Sequence, residues 1–346
     1  MTADHIPVNI LSGFLGSGKT SLLRGLVSSP ALAKAAVIIN EFGELGLDHY
    51  LVESVEEDMI LLQNGCICCN IREDLGQALR QLHERRMEGT IPPFDRVVIE
   101  TTGLADPVPV LATLRHDPIA RHHFRAGNVI VTVDAVNYPR HLSDSPEAAK
   151  QIAVADRLVV TKRDLLAQPS SDAETIALRQ LNGVAPIIDI TQADAATLFA
   201  QDAFDPETRQ QEVAAWLASE EADHHDHAGH GHHAHDHGRQ HSDLHDSVQT
   251  VSVISETPID WAAFGIWLSM LLHRHGDKVL RVKGILNVRG AETPVVINGV
   301  QHLIHPPVHL ESWPEGDRRS KLVFIARGIE AESLRQSLLR FGGIKG

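Results

Sequence analysis

Gly13-Phe14-Leu15-Gly16-Ser17-Gly18-Lys19-Thr20 satisfies the pattern GxxxxGK[ST] without a mismatch. An apolar run, Val8 to Leu11, comes before it, and a helical pattern begins at about Lys19. This strand–turn–helix order restricts the fold more than any other stretch of the chain. The glycines let backbone N–H groups curl around an anion, and the start of a helix adds its positive end. Lys19 is spaced to reach the β- and γ-phosphates of a nucleotide, and the Thr20 hydroxyl to ligate Mg²⁺. Gly13, Gly16, Ser17, Gly18 and Ser21 complete the expected phosphate cradle.

The first two hundred residues repeat the same alternation. Short β-branched runs at Ala36–Ile39, Met59–Leu62, Val97–Ile99, Asn128–Val133, Leu158–Val160 and Ile187–Ile190 are separated by helical patterns such as Ile71–Met87. Asn70 and Glu73 stand in capping-box spacing at the head of that helix. The expected fold class is α/β: a P-loop NTPase with a mostly parallel sheet and helices on both faces. A smaller C-terminal α+β domain follows. It is predicted from strands at Val248–Ser255, Lys278–Val288, Val295–Gln301 and Leu322–Ala326, with helices at Trp261–Leu272 and Glu332–Phe341.

Between the two lies a change of composition. Ten of the 22 histidines fall between His224 and His245, among Asp, Gly and Ala, with no apolar periodicity. The expected organisation is therefore a nucleotide-binding domain over 1–219, a His-rich linker over 220–247 and the C-terminal domain over 248–346. Charge is also uneven. The net value is −14, yet residues from Val248 onward carry 12 Lys+Arg against 9 Asp+Glu, leaving −17 for the rest. That balance argues against nucleic acid as the main partner. No secretory signal and no run of transmembrane length is visible, so the expected setting is cytoplasmic and reducing, without a membrane partner.

Three further segments follow strands. Thr161-Lys162-Arg163-Asp164 stands where GTPases carry a base-reading turn, in which a carboxylate accepts from guanine N1–H and its exocyclic amine. The same four residues also suit a plain helix cap. Glu100-Thr101-Thr102-Gly103 ends an apolar strand with an acid and a glycine, which fits a Mg²⁺-water contact and a γ-phosphate-sensing turn. Asn40 to His49 holds glycines and acids, Glu41 among them, and reads either as a loop that orders around Mg²⁺ and phosphate or as an ordinary surface turn.

All three cysteines of the chain lie in Cys66-Ile67-Cys68-Cys69. A two-residue gap between thiols is a metal-binding spacing, though it also serves redox pairs and buried thiols. Three thiolates leave a tetrahedral site one ligand short, which suits a metal that is meant to leave. Softness and availability favour Zn²⁺, while Co²⁺ accepts the same geometry.

With GFLGSGKT, NEFGELGLDH, CICC, ETTGLADP and TKRD in this order, the chain resembles the CobW-type P-loop GTPases, a family linked to zinc or cobalt delivery and metalloenzyme assembly. Leu280–Leu286 and Leu322–Ile325 resemble that family's C-terminal domain. The resemblance implies phosphate and Mg²⁺ contacts at Gly16, Gly18, Lys19 and Thr20, and a sensing turn at Glu100 and Gly103. It implies a guanine site at Lys162 and Asp164, and metal-binding thiols at Cys66, Cys68 and Cys69. Thr161 replaces the Asn of most GTPases. Lys19, Thr20 and Glu100 are the candidate catalytic residues. With no arginine finger or catalytic Gln assignable, turnover is expected to be slow.

The histidine tract, including His230, His232, His233, His235 and His237, reads as a metal collector feeding the thiols or as a solubilising linker. A flexible segment of its length reaches about 30 Å. The expected function is a metallochaperone that uses GTP and Mg²⁺ to bind Zn²⁺ or Co²⁺ and hand it to a client metalloprotein. The alternatives are a GTP-dependent regulator with metal as signal, or a passive metal store.

Overall fold

Every strand expected in the first two hundred residues forms, and all of them run the same way. In the computed structural model the described residues are 5–40, 60–64, 71–166, 171–200, 210–211, 213–214, 216–217, 248–314 and 317–342. The seven strands are β1 (Ile6–Gly13), β2 (Ala35–Asn40), β3 (Ile60–Asn64), β4 (Arg96–Glu100), β5 (Phe124–Asp134), β6 (Arg157–Thr161) and β7 (Ile187–Asp189). They make one parallel sheet in the order β3-β2-β4-β1-β5-β6-β7. The central strands are buried on both faces, which is why they read as continuous Val/Ile/Leu runs without alternation.

Between them lie α1 (Lys19–Val27), α2 (Ile71–Met87), α3 (Val108–His116), α4 (Ala120–His123), α5 (Tyr138–Asp144) and α6 (Pro146–Val154). Leu22, Leu23 and Leu26 of α1 pack with Leu11, Val98, Ile130, Val159 and Leu198 in one core. Burial of this kind contributes about 1.5–3 kcal/mol per large aliphatic side chain. The helix α2 is tied at two levels, by an ion pair from Arg80 to Asp117 and by His83 stacked on His123 at a centroid distance of 3.7 Å. Asn70 of the expected capping box lies outside the described residues.

The second compact unit comprises Asp172–Pro186 together with Pro206–Gly346, whereas the first comprises Met1–Ser171 and Ile187–Asp205. Most of α7 (Ser171–Leu181) thus belongs to the same compact unit as the C-terminal sheet, and just after it the Gly183 N–H donates to the Thr250 hydroxyl at 3.2 Å. That sheet contains β8 (Val248–Ser255), β9 (Val279–Leu286), β10 (Val295–Val300), β11 (Leu303–Ile304), β12 (Val308–His309) and β13 (Ser320–Arg327). Its order is β11-β10-β9-β13-β8, with β12 also on β10, and every pairing is antiparallel.

Two helices cover its apolar side, α8 (Trp261–His275) and α9 (Ala331–Phe341). Asp260 caps α8 by accepting from the Ala262 and Ala263 N–H groups. Phe264, Trp267 and Leu268 then pack on Val282, Leu286 and Phe324, and on Leu334 and Leu338 of α9. This is the expected small α+β domain. The segment 220–247 falls outside the described residues. No helix among those described is long and apolar enough to cross a membrane.

Candidate nucleotide site

The carboxyl ends of seven parallel strands share one edge, and the turn after β1 stands at its middle. Gly13, Gly16 and Gly18 all adopt positive φ, at 141°, 71° and 91°. A Cβ on Gly13 would lie 2.4 Å from Thr132 Oγ1 and 2.6 Å from Thr132 O, so only glycine lets β1 run this close to β5. Gly18 is the left-handed cap of α1, and the first turn of α1 carries no acidic residue to compete with a bound anion.

Lys19 is buried, and its ammonium donates to the carbonyls of Gly13 at 2.8 Å and Phe14 at 3.2 Å. Burial pulls its pKa below that of an exposed lysine, with Glu100 nearby acting in the opposite direction. These two carbonyls hold the charge where the phosphates of a nucleotide would receive it. The Thr20 hydroxyl donates to Glu100 Oε1 at 2.5 Å, bringing a P-loop hydroxyl and a buried carboxylate together. Two hard oxygen donors beside a lysine fit Mg²⁺ carried with a nucleoside triphosphate. Ser17 is turned inward instead, where its hydroxyl meets that of Thr132 at 2.6 Å.

The turn after β4 abuts the phosphate loop. A Cβ on Gly103 would come within 2.6 Å of Leu15 N, so the two backbones touch. Gln151 of α6 donates its amide to the carbonyls of Gly103 at 3.1 Å and Ala105 at 2.9 Å, and Lys150 bonds Asp106 at 2.5 Å. On the other flank, the Thr161 hydroxyl donates to Ser17 O at 2.8 Å. Lys162 bridges Gly16 O at 2.6 Å and Asp134 Oδ2 at 2.8 Å, while Asp164 is exposed at the mouth of the turn. The stretch is a base-reading candidate and a short cap at once, since Lys162 precedes a single 3₁₀ turn, Arg163–Leu165. Ser21 is exposed on α1.

Asp134, Gln151 and Lys150 were not among the residues expected at the site. Asp134 ends β5 as Glu100 ends β4, an acid closing an apolar strand at the same sheet edge, and that signal could have found it. Gln151 had no comparable signal, being a polar residue on a helix of ordinary pattern. Glu41, Cys66, Cys68, Cys69 and the histidine tract lie outside the described residues. Their points of departure are described: Asn40 and Asn64 are register partners at the ends of β2 and β3. The edge strand β3 lies three places from β1, roughly 14 Å at the usual strand spacing. Among the described residues, no group of three or more His, Cys, Asp or Glu side chains is arranged to hold a metal ion.

The CobW/HypB/UreG nucleotide-binding domain matches residues 7–189, and the cobalamin synthesis protein CobW C-terminal domain matches residues 248–341. This chain belongs to the CobW family. Its zinc chaperone relative YjiA from Escherichia coli (strain K12) is 31% identical over 348 residues, covering 99% of each chain. The zinc-regulated GTPase metalloprotein activator 1 of Schizosaccharomyces pombe is 34% identical over 197 residues, 55% of this chain and 47% of that one. Among solved structures, Zn(II)-bound YjiA GTPase from E. coli superposes with a TM-score of 0.69 at 27% identity, over 97% of this chain and 99% of the other. In this CobW chain the nucleotide-binding domain thus spans the phosphate loop, the turn after β4 and the TKRD stretch described above.

Proposed function

We propose that this chain is a GTP-hydrolysing metallochaperone whose cargo is Zn²⁺, with Co²⁺ as the second candidate. Cys66, Cys68 and Cys69 bind the metal as thiolates, and a client metalloprotein receives it. The observation that carries this reading is the contact of Thr20 with Glu100. It joins the phosphate loop to β4, whose following turn already touches the loop at Leu15 and lies two strands from β3. A change at the phosphates is thereby felt on the sheet edge from which the thiol run departs. The zinc chaperone and GTPase relatives support the choice of cargo and nucleotide.

On nucleotide binding, Lys19 exchanges the carbonyls of Gly13 and Phe14 for phosphate oxygens, and the Gly18 cap and helix start of α1 receive the remaining charge. Lys162 and Asp164 orient the guanine. Mg²⁺, when bound with the nucleotide, screens the phosphate charge beside Thr20 and Glu100. Glu41 and the loop after β2 would order against the γ-phosphate, completing the metal site, and their relaxation after hydrolysis would lower its affinity. The histidine tract around His230–His237 gathers cargo for the thiols, so deletion of 224–245 would lower Zn²⁺ stoichiometry. Thiolate binding would release protons and weaken at low pH.

The deciding experiment is Zn²⁺ and Co²⁺ affinity measured with a GTP analogue, with GDP and without nucleotide. Tighter binding in the triphosphate state is expected, and Lys19→Ala should abolish the difference. Equal affinities in all three states would sink the mechanism. A second reading, a GTP-dependent regulator with metal as signal, is favoured by the zinc-regulated activator among the relatives. It gains if a client binds equally well after all three thiols are changed to Ser.

A further inference from the structure

Lys162 is one of two non-glycine residues at positive φ among those described, the other being Gln301. A residue with a side chain is held in the left-handed region only where its surroundings over-determine it, and such places cluster at functional sites. Two grips fix this one. Its ammonium donates to Gly16 O at 2.6 Å and to Asp134 Oδ2 at 2.8 Å. One residue earlier, Thr161 holds Ser17 O. Successive residues of the TKRD stretch thus hold successive carbonyls of the phosphate loop. In a trans peptide the N–H points opposite to the C=O, so fixing Ser17 O inward aims the Gly18 N–H outward.

Asp134 is the far anchor of this arrangement. Its side chain is 2% exposed, against 33% for Lys162. Oδ1 accepts the N–H groups of Val136 at 2.9 Å and Asn137 at 3.1 Å, while Oδ2 accepts Asn137 Nδ2 at 2.9 Å and Lys162 Nζ at 2.8 Å. A buried carboxylate with four donors is rigid, and removing its charge leaves Lys162 held by the Gly16 carbonyl alone. The partners of Asp134 here are Val136, Asn137 and Lys162. It acts on Lys162, which with Thr161 joins the TKRD stretch to the phosphate loop.

We propose that Asp134 is a positioning residue for the nucleotide: its carboxylate holds Lys162 in the left-handed bend, so that the purine-reading turn and the phosphate loop are fixed at one separation before the ligand arrives. This rests on the guanine-nucleotide reading above. Asp134 has a second task, since Val136 and Asn137 lie at the start of α5. Asn at this position keeps Oδ1 as the acceptor for those N–H groups, while an amide nitrogen replaces the Oδ2 that accepts from Lys162 and from Asn137 Nδ2.

The test titrates the full-length protein with N-methylanthraniloyl GDP and ADP, in the wild type, Asp134→Asn, Lys162→Met and the double variant. Asp134→Asn should weaken GDP about 30-fold, the range of a lost charge-assisted hydrogen bond. The double variant should bind no more weakly than Lys162→Met alone. In steady state, KM for GTP should rise far more than kcat falls. Wild-type affinity in Asp134→Asn, or an equal further loss in the Lys162→Met background, overturns the proposal, because either leaves only the helix-start task. Circular dichroism of the apo forms checks folding. If Asp134→Asn unfolds, Lys162→Met decides, and wild-type affinity there overturns the proposal as well. Equal wild-type affinity for GDP and ADP would refute the guanine reading alone, since the Asp134→Asn ratio is still read with either nucleotide.

Discussion

Lys162 could be replaced by a residue better suited to its backbone, but not to its task. A left-handed conformation costs a side-chain-bearing residue about 1–2 kcal/mol. Lys162→Gly should therefore be more stable than Lys162→Ala by about 1 kcal/mol in urea unfolding, although both lose the bridge to Asp134. Gly103→Ala makes the opposite case. Its Cβ would press on the Leu15 backbone, and overpacking of this kind costs about 1–3 kcal/mol. GDP titration should show roughly tenfold or greater weakening. Asp134 also sets a pH response. Burial raises its pKa, but the hydrogen bonds from Asn137, Lys162 and Val136 outweigh this and hold it below the ordinary carboxylate value. Its stabilisation is complete above about pH 4 and is lost as pH falls through the lowered pKa. Acid unfolding of Asp134→Asn should accordingly be shallower below pH 4. The motif named Lys162 but not its anchor, because GxxxxGK[ST] and KxD patterns describe what meets the ligand. What holds those residues is spread over other strands.

At the scale of the element, α2 links the thiol segment to the body of the domain. It begins two residues after Cys69 and is held lower down by Arg80 and His83. Burial lowers the His83 pKa, and the neighbouring His123 and Arg86 lower it further, with Glu84 opposing. His83 is thus harder to protonate in the fold than an unfolded histidine, which takes up a proton near pH 6.5. Stability falls as pH drops from that value towards the lowered folded pKa. His83→Gln should flatten the dependence of Tm on pH between 7.5 and 5. The strands and helices themselves were legible, since β-branched runs and 3.6-residue periodicity are local. Strand order was not. That β3 takes the edge, three places from the phosphate loop, is decided by which crossovers pack together and leaves no mark on residues 60–64.

Across the whole molecule, the division into two units differs from the division of the sequence. Composition marks a change at the histidine tract, yet Asp172–Pro186 belongs to the same compact unit as the later sheet, with Gly183 bonded to Thr250. Nothing in the pattern of α7 announces this, because an amphipathic helix shows that it has a partner and not which one. A chain ending at residue 247 should keep slow amide exchange in β1 and β5 while α7 loses its protection, as read by hydrogen–deuterium exchange. An equally protected α7 in the shortened chain would show that the first unit suffices to hold it.

The backbone passes between the two units three times, after Ser171, after Pro186 and after Asp205. This bears on how such a protein can diversify. A gene fusion at the histidine tract brings in a foreign C-terminal sheet but leaves α7 shaped for the old one. An exchange that preserves packing has to carry residues 172–186 along with 206–346, as two separate insertions. Recombination at a single point is thereby disfavoured, and new variants of the C-terminal unit should arise mainly by substitution in place.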